Sequence, residues 1–281
     1  MTTTVAPTST PTGTAVAADP ATERTRAIWT SGDFGRIATS YASGAAEFIA
    51  RLGLSEGEHV LDVACGTGNL AIPAARTGAL TTGIDIAPNL ISQATRNAEA
   101  ERLDARFEVG DAENLPYADG SFDTVVSMFG VMFAPHPMRA AAELLRVTGK
   151  GGRIALANWT AEGFIGQMLR IVTSYAPPAP AGSSPVLQWG DEMVVLERLS
   201  GAQRIDCVRR RIRFDFPCSP EETVRIFRHF YGPTVHVFAR IDLERREMLE
   251  RELVAHWTEH NHAGPGETRV ESEYLEVIAV R

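Results

Sequence analysis

The sequence predicts an α/β protein built on a doubly wound, mostly parallel seven-stranded sheet with helical lid insertions. Three observations carry that expectation. From about residue 56 to 160, short apolar runs alternate with helical stretches, the pattern of a parallel sheet covered on both faces. The first run, Val60-Leu61-Asp62-Val63, passes directly into a glycine turn, Cys65-Gly66-Thr67-Gly68. Beyond Thr160 the alternation loosens, and segments 161–190 and 219–263 interrupt the later half of the sheet.

Residues 1–20 are rich in Thr, Ala and Pro. Such a stretch buries too little apolar surface to offset its ordering entropy, so a disordered tail is expected. It has neither the basic nor the apolar region of a secretory signal. Residues 21–29 and 34–52 read as helices, the second with Ile37, Tyr41, Ala45, Phe48 and Ile49 at helical spacing. Residues 21–55 are therefore expected to form N-terminal helices that cover a site. Strands are expected at 59–63, 81–86, 105–109, 122–127 and 153–158. Helices are expected at 69–76, 89–102 and 138–147. The glycines around Lys150 mark a turn before the fifth strand, with the lysine as a solvated loop residue. Pro177, Pro178, Pro180 and Gly182 mark a loop, and 191–199 a helix. Residues 205–216 alternate apolar with polar side chains, as an edge or antiparallel strand does. Ser219-Pro220-Glu221-Glu222 opens a largely helical stretch, with Pro at the first helical position and acids in the first turn. Residues 270–280 close the sheet. The core thus spans 56–160. The insertions serve as substrate or lid elements, and 191–218 with 264–281 complete the sheet.

Composition narrows the chemistry. A 281-residue chain with 44% hydrophobic and 22% charged residues has ample material for a sizeable core. Lys150 is the only lysine among 27 basic residues, and it lies in no P-loop spacing. A Schiff-base lysine is thereby disfavoured. The net charge of −8 argues against nucleic acid as a partner. No run of about 18 apolar residues appears, so no membrane span is expected. Cys65, Cys207 and Cys218 form no metal-finger spacing and suit a reducing cytoplasm.

The glycines of the first turn let the backbone approach a ligand closely, at the carboxyl edge where doubly wound sheets bind. Gly66-x-Gly68-x-x-Ala71 also fits a dinucleotide fingerprint, and an ordinary strand-to-helix turn is the plainer reading. Asp62 separates the readings. A carboxylate four residues before the first glycine repels a phosphate and suits a cationic amino-acid group. Asp85, ending the second strand, can accept both ribose hydroxyls of a nucleoside. After the third strand, Asp111 can take an adenine amino hydrogen while Ala112 offers a backbone amide.

In this order and spacing, D-V-A-C-G-T-G, G-I-D-I, G-D-A-E-N-L-P and S-F-D-T-V-V-S resemble the class I S-adenosylmethionine-dependent methyltransferases, which are Rossmann-like. Within them the likeness is to the small-molecule branch that includes the ubiquinone and menaquinone C-methyltransferases. The resemblance implies methyl transfer from S-adenosylmethionine to a small, partly apolar acceptor; from the residues themselves, no metal is expected. It implies that Asp62, Ala64, Gly66 and Gly68 cradle the methionine part and that Asp85 and Ile86 hold the ribose and flank the adenine. Asp111 and Ala112 would read the adenine edge, and Ser127 would close the methionine side. Where other branches carry Asn/Asp-Pro-Pro-Tyr, this chain has Ser127-Met128-Phe129-Gly130, which favours a small acceptor.

Phe129, Met132, Phe133, Trp159 and Trp189 are expected pocket walls, with core packing as the alternative. Trp29, Phe34 and Tyr41 precede the sheet and can close over a sulfonium, since aromatic faces attract cations. Tyr231, His229 and His236, in an aromatic-dense segment, and His136, after the fourth strand, are candidates to orient or deprotonate a substrate. His256-Trp257-Thr258-Glu259-His260 matches a zinc-protease pattern but reads better as a helix end. Two other function classes stay open. One is a nicotinamide oxidoreductase, though a Tyr-x-x-x-Lys dyad cannot exist because Arg146 lies four before Lys150. The other is a non-catalytic S-adenosylmethionine-binding protein.

Overall fold

The computed structural model describes residues 19–178, 184–264 and 266–281. The expected disordered tail lies outside the described residues up to residue 18, as do Pro180 and Gly182 of the expected loop. Its last two residues are helix start instead. Asp19 caps α1 (Pro20–Thr30) by accepting the Ala21 N–H at 2.9 Å, and Pro20 presets the first helical φ.

Seven strands form one sheet: β1 (His59–Val63), β2 (Leu80–Asp85), β3 (Ala105–Val109), β4 (Phe122–Met128), β5 (Thr148–Trp159), β6 (Arg204–Phe216) and β7 (Thr268–Val280). Their order is β3-β2-β1-β4-β5-β7-β6. Strands β1 to β5 pair in parallel, and β7 lies antiparallel between β5 and β6. The central strands are apolar on both sides because helices cover both faces. β6 ends the sheet and alternates in exposure, as its sequence predicts. The order reverses between β1 and β4, so a crevice opens at the carboxyl ends of these strands.

The remaining helices are α2 (Gly35–Ala38), α3 (Ala42–Leu52), α4 (Ala71–Ala75), α5 (Pro88–Glu101), α6 (Pro137–Val147), α7 (Phe164–Tyr175), α8 (Glu192–Arg198), α9 (Pro220–Phe230), α10 (Gly232–Arg240) and α11 (Leu243–Glu259). The single helix expected over 34–52 is broken by a 3-10 turn at Thr39–Tyr41. The Thr39 and Ser40 hydroxyls bond back to carbonyls three residues earlier, which competes with helical pairing. Lys150 is exposed, but it lies on a strand and not in a loop: β5 starts at Thr148, and its register against β4 shifts near Phe122 and Thr124. The second insertion begins with a full capping box, Ser219 with Glu222. It breaks at Tyr231 and resumes at once as α10.

Two contacts close the molecule over the crevice. A Cβ on Gly232 would stand 2.4 Å from the Ile28 carbonyl, so α1 lies directly on the start of α10. A Cβ on Gly130 would stand 2.6 Å from the Ala64 Cβ and 2.7 Å from its carbonyl oxygen. The turns after β1 and β4 therefore touch backbone to backbone. Ala64 and Phe129 flank this contact with left-handed φ of 56° each, a conformation that costs a non-glycine residue on the order of 1–2 kcal/mol. Gly130→Ala is expected to destabilise the protein by about 1–3 kcal/mol through overpacking, read as a lower urea midpoint at unchanged slope.

Candidate functional site

A cleft, partly open to solvent, runs along the carboxyl edge of the sheet. Asp62, Ala64 and Gly66 line it from β1 and its turn, and Asp85 and Ile86 from the end of β2. Asp111 and Ala112 line it from beyond β3, and Phe129, Gly130 and Phe133 from beyond β4. Thr25 and Trp29 of α1, with Phe34, complete the lining from the N-terminal segment.

The turn after β1 is held from two sides. Asp85 Oδ2 accepts the Gly66 N–H at 2.9 Å, and its Oδ1 accepts the Ala87 N–H at 2.8 Å. Asp62 Oδ2 accepts the Ala71 N–H at 2.9 Å, anchoring the start of α4. Asp111 Oδ1 accepts the Glu113 N–H at 2.9 Å. Asp62 and Asp85 are nearly inaccessible. Burial pushes the Asp62 carboxyl up to about 8, against the lowering bond from Ala71, and it raises Asp85 as well. No arginine, lysine or histidine lines this cleft among the described residues. Two buried acids without a cationic partner suit a ligand that brings its own cation at one end and hydroxyls at the other.

Several expected site residues sit elsewhere. Gly68 adopts φ 89° to complete the turn and does not line the cleft. Ser127 is fully buried, donates to the Val63 carbonyl at 2.6 Å and accepts from the Val131 N–H at 3.1 Å. It ties β1 to the turn after β4. Met132 and Trp189 are core residues, 2% and 1% exposed. Trp189 packs under the Arg198 guanidinium, 4.7 Å from its ring. His229 is exposed, its Nδ1 2.7 Å from the Arg225 carbonyl one turn back. His236 is half-buried on α10 and lines neither this cleft nor the chamber described below. Burial, then Arg240 and Arg24, lower its pKa. His136 stands 2.7 Å from Glu113 and 3.4 Å from Asp19, joining the start of α1 to the loop after β3. His256 stacks on Phe164 and contacts its carbonyl, while His260 contacts the carbonyl of His256. No metal-binding cluster occurs among the described residues.

A second, smaller chamber adjoins the cleft, sharing Phe34 and Phe129 with it. Tyr41, Trp159, Phe214, Phe227 and Tyr231 form most of its remaining wall, with Ile37 and Ile165. Phe129 stacks on Trp159 with centroids 3.4 Å apart. The Tyr41 hydroxyl lies 3.4 Å from the Asn69 amide, and burial pushes it and the Tyr231 hydroxyl further toward the protonated form. Thr25, Asn69 and Gly130 in the cleft and Phe214 in the chamber were missed by sequence reasoning. Phe214 sits in an alternating strand that signals only an edge.

Residues 61–156 match the model of a methyltransferase domain. The chain is 39% identical over 223 residues to an uncharacterised protein of Mycobacterium tuberculosis, covering 77% of this chain and 80% of that one. It is 38% identical over 139 residues to the demethylmenaquinone methyltransferase of Renibacterium salmoninarum, covering 48% of this chain and 56% of the relative. Among solved structures, the YcgJ protein of Bacillus subtilis superposes with a TM-score of 0.55 at 18% identity, over 85% of this chain and all but 1% of that one, which is 99% covered. Phosphoethanolamine N-methyltransferase 2 of Haemonchus contortus, solved with S-adenosylhomocysteine, superposes with a TM-score of 0.56 at 15% identity, over 89% of this chain and 57% of that one. These likenesses share the fold. The chain belongs to the class I S-adenosylmethionine-dependent methyltransferases. As a member of that family it is an enzyme of methyl transfer with S-adenosylmethionine as cofactor, which displaces the nicotinamide reading. No described helix is long and apolar enough to cross a membrane.

Two measurements probe the acids. Asp85→Ala is expected to weaken S-adenosylmethionine binding by about 10- to 100-fold in calorimetry, the range for losing hydrogen bonds to a charged group. Asp62 has a folded pKa raised above its unfolded value, so its ionisation costs stability as pH rises from about 4 to about 8. Asp62→Asn keeps an acceptor for Ala71 and removes that cost. The melting temperature of this variant relative to wild type should climb from pH 4 to pH 8 and level off above.

Proposed function

We propose that the acceptor is a small, partly apolar organic molecule that enters the aromatic chamber. The single observation that carries this reading is that the chamber adjoins the cofactor cleft at Phe34 and Phe129, so one ligand can reach the other. The acidic net charge and a cleft lined without basic side chains favour such an acceptor over nucleic acid. The three cysteines, all free thiols, favour the cytoplasm as its place of action.

The residues present fit the cofactor. Asp62, Ala64 and Gly66 would hold the methionine part, Asp85 and Ile86 the ribose and one adenine face, and Asp111 with Ala112 the adenine edge. Phe34 would wall the cleft beside them. When bound, the cofactor supplies a methyl carbon already activated by its sulfonium. The chain's own residues then have to position and to exclude water. Trp29 meets Phe34, Phe133 and Tyr231 edge-on at 5.7, 4.9 and 5.7 Å, joining α1 to both cavities as a roof. Holding an acceptor in line at near-attack distance can supply about 7–11 kcal/mol of the barrier. Tyr231, inside the chamber, is the residue that would orient the acceptor. His229, His236 and His136 line neither cavity.

Titration with S-adenosylmethionine, S-adenosylhomocysteine and NADH should give binding of the first two only. Release of S-adenosylhomocysteine should then depend on an acceptor drawn from a small-molecule pool. Ile165→Phe, which fills the chamber from α7, should lower that release about tenfold or more while cofactor affinity holds. Equal loss of cofactor affinity, or release indifferent to the acceptor, would remove the chamber from the reaction.

A further inference from the structure

We infer that the acceptor is an uncharged amine, and that the aromatic chamber is built to hold the cation this amine becomes. The inference rests on the methyl-transfer reading above and adds the acceptor's chemical class. Tyr41, Phe129, Trp159, Phe214 and Tyr231 surround the space, with neighbouring ring centroids 5.2 to 5.8 Å apart for the Tyr41–Phe214, Tyr41–Phe129 and Trp159–Phe214 pairs. Aromatic faces carry negative charge density and attract cations.

The chamber contains no proton acceptor of ordinary strength. Its lining among the described residues includes no carboxylate, histidine, lysine or cysteine. Residues 1–18, 179–183 and 265 contain none of these side chains either. The two tyrosines keep their protons, since burial raises both. Asp62 lies in the adjoining cleft, where the proposed cofactor pose gives it to the cationic methionine end.

This inventory sorts the acceptor classes. A phenol, a thiol or an acidic carbon must lose a proton to attack, and nothing in the chamber takes it. A carboxylate or a preformed phenolate would be an unpaired anion against aromatic faces, which is costly to bury. An uncharged amine needs neither. Its lone pair forms the new N–CH3 bond as the CH3–S bond breaks, with that bond's electrons staying on sulfur. The single positive charge passes from sulfur to nitrogen, and no proton leaves during the transfer. The aromatic wall is then suited to both ends of the step.

The test uses the full chain with S-adenosylhomocysteine bound. Phenyltrimethylammonium and its uncharged isostere tert-butylbenzene are titrated, read by tryptophan fluorescence and calorimetry. The cation should bind at least about threefold tighter than the isostere, the lower range of a cation–aromatic contact. Trp159→Leu should erode that preference, and Trp159→Phe should retain most of it, which guards against a folding defect. With S-adenosylmethionine, N,N-dimethylaniline should release S-adenosylhomocysteine in preference to phenol or benzoate. Equal or weaker binding of the cation, binding of neither probe, or preferred turnover of phenol or benzoate overturns the inference. If S-adenosylhomocysteine itself fails to bind, the methyl-transfer reading fails first.

Discussion

The Asp85 carboxylate holds the site together. It reaches from the end of one strand to the glycine turn of the next, taking the Gly66 amide on one oxygen and the Ala87 amide on the other. This bridge fixes the turn after β1 against the start of α5, and Asp62 does the same for the start of α4. Both acids are buried, so their bonds act in a low dielectric where a satisfied polar group is strong and an unsatisfied one is expensive. The same two groups that shape the cleft therefore face it with unmet demand for a cation and for hydroxyl donors.

A second constraint follows from the switch in strand order. The turns after β1 and β4 must diverge around the crevice, yet they touch where Gly130 meets Ala64. The left-handed residues Ala64 and Phe129 sit on either side of this contact. Their strain is sustained because packing leaves them no other course: Phe129 is stacked on Trp159 and met edge-on by Tyr41 and Tyr274. That position makes Phe129 the one wall common to cleft and chamber beside Phe34. Cleft and chamber thus share a boundary built from strained backbone and stacked rings.

The histidines show how a reactive side chain can be placed for structural ends. His136 links the start of α1 to the loop after β3, and so helps seat the roof over the cleft. His256 stacks on Phe164, joining α11 to α7. His229 turns back onto its own helix. With these groups engaged elsewhere, the wall of the chamber is left to aromatic rings and two isoleucines.

The parallel strands, the glycine turn and the places of Asp62, Asp85 and Asp111 were legible in the sequence by itself. Each depends on a short run of residues: an apolar strand, a turn that only small residues permit, an acid at a strand end. The broken helix at Thr39–Tyr41 was not, because hydroxyl groups bonding back along the chain defeat a spacing that otherwise reads as continuous. Nor was the sorting of side chains that look alike. Trp159 and Trp189, Phe129 and Met132, Tyr231 and His229 are similar candidates when read along the chain. Only the tertiary structure decided which member of each pair meets a cavity and which meets the core or solvent. That outcome is set by contacts between segments far apart in sequence, such as α1 on α10 and β6 beside the N-terminal helices, whose side-chain directions no local pattern encodes.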